Sequence, residues 1–184
     1  MPNHPDDSPI QRSRPAAPTT ERGQALVELA ISSLFLLLLV MGIVDFGFLY
    51  SDRLAISNAA REGARYASLN PTFWSNAATP DSNTIQGEIR LAGGTLDIVN
   101  NDSHISIAYY DASSGSSAVY CGAYRASTGS FVAAPGYTKT QCTSPGNIVQ
   151  VSVNTTYPLL TPLLSGLFSG GVNVAATAAF VEHQ

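Results

Sequence analysis

The chain has 184 residues, a net charge of -4 and 12% charged residues, against about 25% in ordinary soluble proteins. So few lysines and arginines leave no basic patch to release counterions from a phosphate backbone, which excludes nucleic acid as a partner. One membrane-crossing helix would leave about 115 residues for a single globular domain of ordinary size.

Residues 1–23 are rich in proline and polar side chains and have no apolar periodicity, so they read as a disordered segment. They fit a secretory signal badly. The apolar run that follows is longer than a usual signal core, and Asp45 and Asp52 precede any small-residue triplet such as Ala55-Ile56-Ser57. From Gln24 to Leu69 nothing breaks a helix, which at this length would span roughly 70 Å. Its first half, Leu29 to Tyr50, carries one charge, Asp45, and is long enough to cross a hydrocarbon core of about 30 Å. Glu28 stands at the front of that run, where a carboxylate is costly in lipid and is therefore a functional candidate. Counting lysines and arginines on either side does not set the orientation, because Arg53, Arg61 and Arg65 match Arg12, Arg14 and Arg22.

The same helix carries small residues at four-residue steps: Gly47, Ser51, Ala55, Ala59, Gly63 and Ala67. Such a row lets another backbone come close, either the protein's own sheet or a neighbouring subunit's helix. Pro71 ends the helix by disfavouring the α conformation at Asn70. After the loop PTFWSNAATPDSN, a short helix is expected from Thr84 to Ala92, with Ile85, Ile89 and Ala92 on one face. Asn83 or Thr84 would cap it, and Gly93-Gly94 would stop it.

Period-two patterns then predict an antiparallel sheet. One strand places Ile105, Ile107 and Tyr109 on one face, a second Val149, Val151, Val153, Thr155 and Tyr157, and a third Val172, Val174, Ala176, Ala178 and Phe180. Between the first two, a weak hairpin pairs Val119–Tyr124 with Ser130–Ala133. The leucines of PLLTPLLSGLFSGG are expected to cover the end of the sheet or touch the membrane surface.

Motifs for chemistry are missing. His4, His104 and His183 stand singly, Gly93-Gly94 lacks a phosphate-loop context, and there is no nucleophile elbow or paired CxxC, so neither an enzyme, a metal site nor a cofactor is expected. Cys121 and Cys142 can form one disulfide if their side of the membrane is oxidising, and otherwise remain two free thiols.

The segment Gly23-Gln24-Ala25-Leu26-Val27-Glu28, the apolar run, Asp45-Phe46-Gly47 and the stretch NAAREGARYA from Asn58 to Ala67 together resemble the TadE-like family. These are pseudopilins, or minor pilins, of the bacterial tight-adherence (Tad/Flp) pilus machinery. The resemblance implies a type IV pilin-like α+β fold, in which a long N-terminal helix, half membrane and half exposed, packs on an antiparallel β-sheet. It implies cleavage by a prepilin peptidase on the cytoplasmic side between Gly23 and Gln24, which removes residues 1–23 as a leader. Residues 24–69 then form the helix, crossing the bacterial inner membrane over about 29–50, and residues 70–184 form an extracytoplasmic domain. Cys121 and Cys142 then lie where disulfides persist.

The partners implied are the peptidase, other pilin-like subunits, the Tad inner-membrane platform and membrane lipid. Glu28 would act in assembly, setting register by pairing with the new ammonium on Gln24 of an adjacent subunit. Major Flp pilins are very short and carry an aromatic residue after this glutamate. Leu29 and the large domain therefore point to an accessory subunit that is carried into, or supports, a surface pilus. Two other readings are a signal-anchored extracytoplasmic adhesin and a pseudopilin of another type II-like secretion filament.

Overall fold

No proline interrupts the chain between Thr19 and Leu69, and helix α1 (Thr19–Leu69) runs through the apolar stretch and beyond it. The computed structural model describes residues 19–113, 117–161, 166 and 170–183. The helix begins at Thr19 rather than near Gln24, and it ends where expected, with Asn70 N donating to Tyr66 O at 2.9 Å just before Pro71. The chain divides into two compact units, Met1–Val40 and Met41–Gln184. Of the first, the described side chains of α1 are almost all exposed, including Leu26, Leu29, Phe35 and Leu36.

In the second unit, α2 (Ile85–Gly93) follows the loop after Pro71. Thr84 caps it, its side chain accepting from Gly87 N at 3.1 Å, and Gly94 at φ 64° supplies the left-handed step that ends it. Five strands follow: β1 (Ile105–Asp111), β2 (Val119–Arg125), β3 (Ser130–Ala133), β4 (Ile148–Tyr157) and β5 (Val172–Val181). They pair antiparallel in the order β3-β2-β1-β4-β5. A one-turn helix, α3 (Lys139–Cys142), lies between β3 and β4 and carries a capping box of Thr138 and Gln141. The periodicity had given no sign of α3, since four residues carry no helical pattern.

The expected faces of β1 and β4 are buried, with Ile105, Ile107, Tyr109, Val149, Val151, Val153, Thr155 and Tyr157 turned inward. Cross-strand rows such as Tyr124–Ile107–Val151–Ala178 therefore present one apolar surface. Ile56, Ala59, Ala60, Ala64 and Ala67 of α1, with Ile85 and Ile89 of α2, close over that surface. In β2 the register slips, so that Tyr109 faces Gly122 while Tyr110 faces Tyr120 and Cys121 is the extra residue. Cys121, Gly122, Ala123 and Tyr124 are all buried, so strict alternation fails there, and the extra residue of the bulge shifts the pairing on either side of it.

Trp74 fixes the loop after α1 to the same surface. It stacks on Tyr124 at 5.1 Å and on Phe131 at 5.5 Å, and its Nε1 donates to Tyr109 Oη at 2.9 Å. Tyr109 Oη in turn donates to Pro71 O at 2.7 Å, so its buried hydroxyl is fully used. Residues 162–165 and 167–169 of the leucine-rich connection lie outside the described residues.

Candidate functional site

Gly23, Gln24 and Glu28 all lie within α1 and are exposed. A Cβ built on Gly23 meets nothing within 4 Å, so packing gives no reason for a residue that costs a helix about 1 kcal/mol. Glu28 stands among exposed Leu26, Val27, Leu29 and Ile31.

The row of small residues does not form one face. Each four-residue step turns about 40° further around a helix of 3.6 residues per turn, so five steps turn about 200°. Ala59, Gly63 and Ala67 are accordingly buried, Ala55 is half-buried, and Gly47 and Ser51 are exposed. Gly63 is a true close approach, since a Cβ there would lie 2.2 Å from Ile89 Cγ1 and 2.8 Å from Ile89 Cδ1. At Gly47 a Cβ would meet nothing within 4 Å. The outer half of the row packs on the protein's own domain, and its lower half does not.

Sequence reasoning gave Asp45 no role beyond an acid near one membrane interface, yet within the second unit it is the best-connected side chain of α1. It is only 3% exposed. One carboxylate oxygen accepts from Leu160 N at 2.9 Å, and the other from Thr161 N at 3.0 Å and from the Thr161 hydroxyl. Tyr157 Oη also donates to it, at a longer 3.4 Å. Bonds to an ionised acceptor are the stronger kind, and here they tie the end of β4 and the start of the β4–β5 connection to α1. A solitary charge in an apolar run was the only available signal, because its partners lie more than a hundred residues away and follow no motif.

Cys121 and Cys142 are joined as a disulfide, linking the bulge of β2 to α3. For a separation of 21 residues such a bridge contributes roughly 3 kcal/mol in the chain-entropy model. Glu182, just past β5, is 2% exposed, and neither carboxylate oxygen has a hydrogen-bond partner among the described residues. Burial pushes its carboxyl up to about 8. Among the described residues, no group of three or more His, Cys, Asp or Glu comes together as a metal site.

The family model described as TadE-like protein matches residues 23–65, the stretch that holds Gly23, Gln24, Glu28, Asp45 and most of the small-residue row. No curated protein and no solved structure matches the chain. The match supports a pilin-like protein associated with the Tad pilus and with its other components. Among the described residues one helix, Gly23–Leu69, is long and apolar enough to cross a membrane, and its most apolar stretch is exposed.

Proposed function

We propose that the chain is a minor pilin, or pseudopilin, of the Tad (Flp, type IVb-like) pilus assembly and secretion machinery, a non-enzymatic subunit supporting pilus biogenesis and surface adherence. The observation that carries this reading is that one matched stretch holds the candidate cleavage junction, Glu28 and the apolar run on a single helix. In this reading the prepilin peptidase cuts after Gly23 on the cytoplasmic side, and residues 70–184 stand outside the inner membrane. A glycine without a packing partner at position 23 fits a residue kept for recognition by another protein. The Cys121–Cys142 bridge fits an oxidising compartment.

Cutting there leaves an ammonium on Gln24, and Glu28 lies four residues on, about 6 Å along the helix. The carboxylate is a poor partner for its own ammonium and a good one for that of a subunit shifted along the axis. Either charge alone is costly in a lipid-like bundle, and pairing them relieves part of the desolvation of each. Exposed Gly47 and Ser51 leave room for the close approach of a neighbouring helix. The test is Glu28→Leu in cells that make the whole machinery. The variant is expected to insert and to be largely cleaved, but to be lost from complexes purified through another pilus subunit. Recovery at the parent level would defeat the register role.

A further inference from the structure

The last two turns of the apolar run form one wall of a groove within the second unit. Phe46, Leu49, Tyr50 and Arg53 line it from α1, and Val172 and Val174 line it from the start of β5. Its volume of about 420 Å³ falls within the range of small-molecule sites, and its lining is predominantly apolar. β5 is the last strand of the sheet, so no further strand closes the groove on that side.

Arg53 supplies the only formal charge of the lining, and it has no ion pair or hydrogen bond among the described residues. Asp52, next along the helix, is turned about 100° away, on the flank where its field reaches Tyr157. The groove therefore has an apolar floor with a free cation at its outer end. It also sits at one end of the stretch that crosses the bilayer if the chain is membrane-anchored, the reading on which this inference rests.

We infer that this groove seats one anionic phospholipid of that bilayer, with an acyl chain along Phe46, Leu49, Val172 and Val174 and the phosphate at Arg53. Position and charge both favour lipid. Lipid chains are present at that depth wherever the helix is anchored, and a phosphate is the anion that an interfacial guanidinium meets there. Tyr50, with an aromatic ring and a polar tip, suits the same headgroup level.

The test uses the full chain in phosphatidylcholine vesicles containing phosphatidylglycerol with a photoactivatable acyl chain. After irradiation, labelled peptides are mapped by mass spectrometry. Label is expected both on the α1 segment 46–53 and on the β5 segment 172–175. Arg53→Ala should reduce the β5 label about fivefold, the effect of one interfacial cation, while Arg53→Lys retains most of it. The same probe with a phosphatidylcholine headgroup, whose choline ammonium offsets the phosphate charge, should label β5 less than the phosphatidylglycerol probe and lose less of that label in Arg53→Ala.

Label confined to residues 29–44, with none on β5, would overturn the lipid seat while leaving the membrane anchor standing. So would cross-links that join β5 to the helix of a second copy in place of lipid. A chain that fails to float with the vesicles overturns both the anchor and the seat.

Discussion

Asp45 and Glu182 are both almost completely buried carboxylates, and they meet opposite surroundings. Asp45 receives two backbone N–H groups and a hydroxyl, so its charge is satisfied where it stands. The Glu182 carboxylate has no donor among the described residues, and burial raises its carboxyl to about 8 from an ordinary 4.5. A raised acid binds its proton more tightly when folded. The stability it contributes is full below about pH 4.5, falls as pH rises toward 8, and is level above that. Hydrogen bonds from Ser113 hold the Asp111 carboxyl below its ordinary value, so its contribution is lost only at lower pH, while burial raises the Asp52 carboxyl and adds a slope of the same sign as that of Glu182. Thermal melting of the full chain in detergent is therefore expected to weaken between about pH 5 and 8, and Glu182→Gln should remove most of that slope, leaving the part due to Asp52. Above pH 8 the variant should be more stable than the parent by roughly 1–3 kcal/mol, because it no longer buries an unpartnered charge. An identical slope in both proteins would refute this. Neither environment was legible in the sequence, because each is set by segments that meet only in the fold.

At the scale of the elements, the two glycines of the small-residue row differ sharply. Gly63 faces Ile89 at a distance no methyl group can share, so Gly63→Ala should destabilise the second unit by about 1–3 kcal/mol through overpacking. Gly47→Ala enters open space and should leave the melting temperature unchanged or raise it, since alanine gains up to about 1 kcal/mol of helix propensity. Equal melting temperatures for the two variants would count against packing as the reason for Gly63. The four-residue spacing identified the row but not its rotation, which follows only when the helix pitch is carried along twenty residues. Period two gave the strands and the inward faces of β1 and β4, but in the edge strand β5 only Val174 of the expected face is buried and Phe180 is exposed. The hairpin of β2 and β3 was legible from its short connection, whereas the placement of β1 between β2 and β4 was not, since the longer connections carry no signal of which strands pair. The bulge at Cys121 hid the inward turn of that cysteine, because it breaks the alternation from which burial is read. The end of α1 and the cap of α2 were legible from Pro71 and Thr84, each of which acts on its own neighbours.

Across the whole molecule, hydropathy and compactness place the start of the folded domain differently. By hydropathy the apolar run continues to Tyr50, and a soluble fragment would be cut to begin at Ser51. The second compact unit begins at Met41, ten residues earlier, and in that stretch Asp45 is bonded to Leu160 and Thr161 while Leu49 packs against the domain core. A fragment of residues 51–184 lacks that carboxylate, so the end of β4 loses its attachment to α1, whereas a fragment of residues 41–184 keeps it. In the same detergent the shorter fragment should melt at a lower temperature than the longer one, because it loses the bonds to the carboxylate. Hydrogen exchange locates the effect, with the amides of Leu160 and Thr161 protected in the longer fragment and exchanging at loop rates in the shorter one. Asp45→Ala in the full chain should reproduce that loss of protection without removing any of the helix, which separates the carboxylate from the apolar surface that truncation also deletes. Equal protection of these two amides in all three proteins would mean that Asp45 does not hold the β4–β5 connection, and that the domain begins where hydropathy places it.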